Sequence, residues 1–472
     1  MKRFLLVLYW FVSMHTLFSQ VTFSDTIYQF RRENDILYGT ATNYAGNEVP
    51  LFLDLYKPIG DNNLNRPLLV LVHGGSWIAG NRNEQEIQLL AKWYAKFGYV
   101  VASVSYRLGF HPSTGNGSNI LTCPLVTVES NCVYPADSAE MVRALYRAMQ
   151  DVKGAIRYLK GRAIEDSVCT SNVFLAGVSA GGFNALAAAM LDVDSEKPNL
   201  AGSLSPATGP ATTLGYCHNY FNLQGSNISL SRPDLGNIDG EIALNGFNSR
   251  VKGIANYYGG MMENLLQLSN GPLPALYLFH QTNDVVVACN YTRLLGEFSF
   301  GCLAPLGFLG CQQIWNTPRA YGSCGIQTLI ETNNYPILFT DDIVQNGGPN
   351  CLADPPGHSL LSIYQRAKNA ATFFAPLITE DSSCYTTEVS NVQHSFSIQP
   401  NPTSNRFSIL SSELPVSLQI FNFDGRLVYA GNQEALSANN FQVDHLPAGI
   451  YHISLQQKSG AKVTQKLMKI SP

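Results

Sequence analysis

Apolar residues recur along this chain with two different periods, and the period changes with position. The run Leu68-Leu69-Val70-Leu71-Val72, entered from Pro67, contains no polar residue. Such a run predicts a strand covered on both faces. Ile36–Thr42 and Leu51–Tyr56 read as strands before it; Tyr99–Val104, Val173–Ala176, Val251–Tyr258 and Ala275–His280 read as strands after it. Met141, Val142, Leu145, Met149, Val152, Ile156 and Leu159 fall on one face of an amphipathic helix. Further helices are expected near Glu84–Lys96, over Ala180–Leu191 and over His358–Phe374. Strands alternating with helices predict an α/β fold with a mainly parallel central sheet and helices on both faces. Phe110–Pro135 reads as a long loop, and insertions near residues 203–248 and 289–350 lack strong periodicity, a character shared by lids and binding loops.

The pattern switches after Pro376. Residues 379–393 are rich in Ser, Thr and Glu and read as a linker. Beyond it, short alternating runs over Arg406–Leu410, Val416–Phe421, Arg426–Tyr429, Ile450–Leu455 and Val463–Lys469 predict a small all-β sandwich. Asp424-Gly425 and Ser459-Gly460 supply its hairpin turns. At the other end, Lys2 and Arg3 precede an apolar run from Phe4 to Val12, the layout of a secretory signal peptide. That run is too short for an ordinary membrane span. No cysteine precedes Cys123, so no thiol is present there to carry a lipid. The expected layout is a signal peptide over 1–20, an α/β domain over 21–378, a linker over 379–393 and a β-sandwich over 394–472.

Composition narrows the function classes. The 472 residues carry a formal net charge of −4 without a basic block, which argues against a nucleic-acid partner. Ten cysteines in an exported chain predict disulfides. Cys123 with Cys132, and Cys302 with Cys311, are candidate local pairs. None of the ten forms a C-x-x-C pair and the nine histidines are scattered, so neither a metal site nor a metallo-hydrolase is expected.

Gly177-Val178-Ser179-Ala180-Gly181 falls between a strand and a helix. A sharp turn there raises a serine oxygen clear of its neighbours, as nucleophilic attack on an ester requires. Ser179 is the candidate nucleophile, and Ala180 at the helix N-terminus offers its N–H to an oxyanion. His73-Gly74-Gly75-Ser76-Trp77 follows the strand Leu68–Val72, so Gly74 and Gly75 are further candidate oxyanion donors. His73 is expected to hold this loop and Trp77 to shape the substrate pocket. Asp284, just past the strand Ala275–His280, is the candidate acid, with Asp341, Asp342 and Asp354 as rivals. His358, in Pro355-Pro356-Gly357-His358, is the candidate base, with His280 as its rival; His111 and His218 read as bystanders in loops. The order Ser179, Asp284, His358 is the one this fold requires.

These motifs resemble the carboxylesterase and lipase branch of the α/β hydrolases over roughly Ile36 to Pro376. His73-Gly74-Gly75-Ser76-Trp77 is similar to the HGG-x-W loop, Gly177 to Gly182 to the G-x-S-A-G-G elbow, and His280 to Asp284 to the H-G-T-x-D acid segment, with Gln281 in place of glycine. Feruloyl and acetyl-xylan esterases share the arrangement. The resemblance implies hydrolysis of carboxylic esters without metal or organic cofactor. In the tail, Gln399-Pro400-Asn401-Pro402, Phe423-Asp424-Gly425-Arg426, Leu446 to Tyr451 and the basic ending Lys462 to Lys469 resemble the C-terminal sorting domain of the type IX secretion system. That resemblance implies a Bacteroidetes-type bacterium, the type IX machinery as partner, and delivery to the cell surface or beyond.

The expected reaction is acyl transfer to water through an acyl-enzyme on Ser179. Expected substrates are small-molecule or polysaccharide esters, including acetyl or feruloyl groups on plant cell walls; export and the aromatic residues Tyr216, Tyr220 and Phe221 motivate the polysaccharide. A polyester hydrolase, a peptidase and a non-catalytic adhesion or binding protein on the same scaffold remain as alternatives.

Overall fold

The computed structural model describes residues 23–60, 63–113, 134–208, 228–268, 273–297, 315–347, 357–379 and 384, and in the tail 397–410, 416–422, 426–431, 433–456 and 462–471. The signal peptide, the candidate pairs Cys123–Cys132 and Cys302–Cys311, the turns Asp424-Gly425 and Ser459-Gly460, and Tyr216, Tyr220, Phe221, His218 and Asp354 lie outside these residues. The chain divides into two compact units. One comprises most residues up to Tyr385, and the other comprises Thr386–Pro472 with the short segments Arg157–Gly161 and Ala243–Asn248.

The larger unit is built on an eight-stranded sheet. Its strands are β1 (Gln29–Thr42), β2 (Glu48–Ile59), β3 (Arg66–Val72), β4 (Val100–Val104), β5 (Val168–Val178), β6 (Gly253–Tyr257), β8 (Ala275–Gln281) and β11 (Phe339–Val344), while β7 (Gly260–Met262), β9 (Tyr291–Arg293) and β10 (Arg319–Gly322) form a separate small sheet. The large sheet runs β1-β2-β4-β3-β5-β6-β8-β11. β2 is antiparallel to both β1 and β4, and every later pairing is parallel. The continuous apolar runs become its central strands: all seven residues of β3 and of β8 are buried. Helices α1 (Gln85–Lys96), α2 (Ser138–Gly161), α4 (Ala180–Met190), α5 (Ser323–Asn333) and α6 (Ile363–Phe374), with the single turn α3 (Ala163–Asp166), accompany the sheet.

Two expectations shift. The helix expected from His358 begins at Ile363, capped by Ser362 Oγ accepting from Gln365 N at 3.4 Å, which leaves His358 on a loop. Inside the expected insertion at 289–350 the chain forms β11 and α5. Strand β11 is an edge strand interrupted by Asp341 and Asp342, so its apolar signal is weak; pairing with β8 supplies what its sequence does not.

One side of the sheet is packed with tyrosine. Tyr56, Tyr94, Tyr99, Tyr257 and Tyr277 are all buried in one core cluster with Phe97, Phe174 and Phe374. Buried hydroxyls need partners. Tyr94 and Tyr257 share a hydrogen bond of 2.6 Å, and Tyr277 donates to Asp342, which Arg366 and Asn369 also hold. A disulfide joins Cys169, at the start of β5, to Cys384, and another joins Cys289 to Cys324.

The smaller unit has two antiparallel sheets. Strands β12 (Ser397–Gln399), β13 (Arg406–Leu410) and β16 (Phe441–Gln442) form one, and β14 (Ser417–Phe421), β15 (Leu427–Ala430), β17 (Gly449–Gln456) and β18 (Lys462–Lys469) form the other in the order β15-β14-β17-β18. Phe407, Ile409, Leu418, Ile420, Phe441, Ile453 and Leu467 fill the core of this sandwich. The short helix α7 (Gln433–Ala438) was not expected from the alternating pattern around it.

Candidate active site

The site lies where the strand order reverses. From β3 the chain passes to β4 on one side, while β5 sits on the other side of β3, so the loops leaving β3 and β5 diverge and open a crevice. Val72 and Gly177 are register partners at the ends of those two strands. The glycine loop and the serine turn therefore emerge side by side.

Ser179 occupies φ 54°, ψ −122° immediately before α4. This is left-handed backbone, which a non-glycine residue adopts at a cost of about 1–3 kcal/mol. Close packing maintains it: a Cβ on Gly181 would lie 2.2 Å from Val72 O, so only glycine lets the turn approach β3. The serine is 8% exposed. Gly74 runs against it, with a Cβ there meeting Ser179 Cβ at 3.1 Å. Gly75 has φ 104° and accepts from Ile78 N and Ala79 N, which closes the loop after β3.

His73 holds this loop and takes no part in contacts to the serine. Its Nδ1 donates to Gly74 O at 2.7 Å, its ring stacks on Tyr106 at 4.3 Å, and Tyr106 OH donates to His73 O and Gly74 O. Burial is the main cause that pushes His73 down to about 4, so its ring is neutral at pH 7. Trp77 is 2% exposed and donates from Nε1 to Asn184 Oδ1 at 2.8 Å. Beside Ser179 and Trp77 is a hollow of about 20 Å³, lined by Met141, Phe183, Val286, Val287 and Leu294.

The structure brings the three separated residues together. His358 Nε2 is 2.9 Å from Ser179 Oγ, and His358 Nδ1 is 2.7 Å from Asp284 Oδ2. Gly357 makes the approach possible: at φ 69° it packs so tightly on the acid loop that a Cβ would lie 2.6 Å from Asp284 N. Asp284 Oδ1 accepts from Val286 N at 2.8 Å and Val287 N at 3.0 Å. Burial opposes the charge on Asp284, but the His358 charge and hydrogen bonds from His280 and His358 outweigh it and hold the carboxyl below its usual range.

The rivals are engaged elsewhere. His280 is fully buried, with Nε2 at 2.7 Å from Val287 O and 3.3 Å from Asp284 Oδ2 and Nδ1 at 3.1 Å from Ser323 Oγ. Asp342 is bound by Tyr277, Arg366 and Asn369, and Asp341 is exposed. His111 is buried, not solvated, because Phe110–Pro112 packs under the domain surface.

Three contributors were not found from sequence. His280 braces Asp284 from four residues upstream, a spacing that in the sequence points only to a rival base. The N–H groups of Val286 and Val287 depend on a turn that no side chain announces. Tyr258, at φ 42°, sets its ring against His358 with centroids 4.5 Å apart and donates to Glu86 Oε2 at 2.8 Å. Its one signal is its place directly after β6.

A mainly parallel sheet of this order, with a strained serine on a strand-to-helix turn and an Asp–His pair from later loops, defines an α/β hydrolase. Residues 53–113 match the BD-FAE family of esterase-like α/β hydrolases, and residues 397–470 match the secretion system C-terminal sorting domain. The chain thus joins an esterase-type α/β-hydrolase unit to a type IX sorting tail, which marks it for the cell surface or the extracellular space. It is 38% identical over 69 residues to gut esterase 1 of Caenorhabditis elegans, a match that spans 15% of this chain and 12% of that relative. Among solved structures, it is similar to Thermogutta terrifontis esterase 2, at 15% identity and a TM-score of 0.37, covering 73% of this chain and 94% of that one. It is also similar to a truncated carbohydrate esterase from gut microbiota, at 12% identity and a TM-score of 0.37, covering 75% and 98%. Among the described residues, no group of His, Cys, Asp and Glu could hold a metal ion, and no helix is long and apolar enough to cross a membrane.

Proposed function

We propose that this chain is an exported serine esterase that cleaves short-chain carboxylic esters through an acyl-enzyme. The observation that carries the reading is the continuous path Ser179 Oγ, His358 Nε2, His358 Nδ1, Asp284 Oδ2, with links of 2.9 and 2.7 Å. His358 Nε2 takes the proton as Ser179 Oγ bonds to the ester carbonyl carbon. Asp284 fixes the imidazole with its proton on Nδ1 and stabilises the imidazolium that forms. The N–H groups of Gly74, Gly75 and Ala180 receive the oxyanion. Collapse of the tetrahedral adduct expels the alcohol, which takes the proton from Nε2. Water then attacks the acyl group by the same route and regenerates Ser179.

The apolar side chains of Met141, Phe183, Val286, Val287 and Leu294 beside the serine suit a small apolar acyl group such as acetyl. Acetyl esters on plant cell-wall polysaccharides are the substrate class we favour, with Trp77 forming one wall of the pocket. Assay of p-nitrophenyl acetate tests the mechanism. Ser179→Ala should lower kcat by about 10⁴ or more, the scale on which triad members act; near-normal turnover by the variant would rule out the nucleophile. In the unaltered chain, p-nitrophenyl acetate should be turned over at least tenfold faster than the octanoate, and acetate should be released from acetylated xylan. The reverse chain-length order would remove the acetyl assignment while leaving the serine mechanism standing.

A further inference from the structure

A second cavity, of about 520 Å³, lies in the hydrolase unit apart from the serine. Its wall begins with a stripe on α2. Glu140, Arg143, Arg147 and Gln150 recur at helical spacing on one face, and none is more than 4% exposed. Charged side chains are not packed into a core without partners. Here the stripe faces the cavity, which Thr40–Tyr44, Arg107, His111 and the segment 231–242 also line.

The arginines are not equivalent. Arg107 pairs with Asp151 at 2.8 Å, and Arg232 pairs with Asp137 at 2.6 Å and Glu140 at 3.4 Å. Arg143 donates to the carbonyls of Leu200, Gly202 and Pro233. Arg147 donates from Nη2 to Gly109 O at 3.0 Å. Neither Arg143 nor Arg147 has a carboxylate partner within ion-pair distance among those residues. Burial, relieved in part by Glu140 and worsened by Arg107 and Arg143, pushes Arg147 down to about 10. His111 is 2% exposed, and its Nδ1 has no partner among the described residues. The floor of the cavity therefore holds guanidinium charge and, at His111 Nδ1, hydrogen-bonding capacity that the described residues do not engage.

The rim limits how much negative charge a ligand can carry. Glu48, Asp234 and Glu241 line it and are exposed. Asp234 is occupied by Lys197 at 2.5 Å and Gly236 N at 2.7 Å. An acidic rim opposes a dianion more strongly than a monoanion, while a forked guanidinium beneath it suits a carboxylate. The volume is in the range of small-ligand sites, about 300–1,000 Å³.

We propose that this cavity is a binding site for a carboxylate monoanion of sugar-acid size, held by Arg147 with Arg143 and His111 beside it. The proposal stands apart from ester hydrolysis, since none of these residues contacts Ser179, Asp284 or His358.

Calorimetric titration of the full chain with sodium glucuronate is the test, with glucose and inorganic phosphate as the neutral and multiply charged comparators. Glucuronate should saturate a single site at millimolar concentration or below and bind at least tenfold more tightly than either comparator. Arg147→Gln should lose at least tenfold in glucuronate affinity while keeping its turnover of p-nitrophenyl acetate. If that variant does not fold, the preference for glucuronate over glucose in the unaltered chain decides the matter. The absence of saturable glucuronate binding, equal affinity for glucose, tighter binding of phosphate, or unchanged affinity in a folded Arg147→Gln would each overturn the proposal.

Discussion

His73 shows how one buried residue can serve a site without touching its chemistry. It is 1% exposed, lies between Gly74 O and the Tyr106 ring, and its Nε2 meets no partner among the described residues. The folded chain therefore resists its protonation, whereas the unfolded chain accepts a proton near pH 6.5. Because the folded value is the lower, the unfolded state binds more protons between pH 6.5 and 4, and this residue lowers stability as pH falls through that window. The interval corresponds to about 3 kcal/mol. Urea unfolding at pH 4.5 and 7.5 measures it: His73→Asn should remove a loss of that order from the difference between the two pH values. An unchanged pH difference in the variant would show that other groups carry the acid sensitivity. The position of His73 directly before the glycines was legible, and so was its hold on their loop. Its stacking on Tyr106 was not, because Tyr106 lies a whole strand and helix away in sequence.

Among elements, the segment after β8 carries Asp284, the proposed acid. Asp284 is fixed by Val286 N and Val287 N, by His280 on β8 and, a little further on, by the disulfide from Cys289 to Cys324 at the start of α5. Cys324 N also donates to Cys289 Sγ at 3.3 Å. Replacing both cysteines by serine should lower stability by about 2–4 kcal/mol, and kcat should fall more than KM rises because the acid loses its anchor. Equal kcat in the double variant would show that the hydrogen bonds of the turn suffice. This disulfide was not legible. Ten cysteines allow many pairings, and short spacing favours neighbours, whereas this pair is 35 residues apart and is brought together by β9, β10 and the turn into α5. Strand β11 escaped the sequence for a related reason: an edge strand needs only one apolar neighbour, so Asp341 and Asp342 cost it little in the fold while hiding its pattern.

For the whole molecule, the two units each have a core of their own. The tail packs Phe407, Phe441, Ile453 and Leu467 among themselves, while the larger unit closes its own chain with the Cys169–Cys384 disulfide across 215 residues. Scanning calorimetry of the full chain should therefore give two transitions, and a chain ending at Tyr385 should lose one of them while keeping its turnover of p-nitrophenyl acetate. A single transition lost altogether on truncation would mean that the tail is part of the folding unit. The sequence by itself determined the alternation of buried strands and helices, the shift to a β tail, and the local turns at Ser179 and at Gly74-Gly75, since each depends on residues adjacent in the chain. Only the tertiary structure decided that His358, far along the chain from Ser179, comes to 2.9 Å of its hydroxyl, that His280 braces Asp284, and that Arg107 and Arg232 join the two α2 arginines, Arg143 and Arg147, around one cavity. Those are distances between parts of the chain whose mutual approach is set by strand order and packing, and no local pattern encodes them.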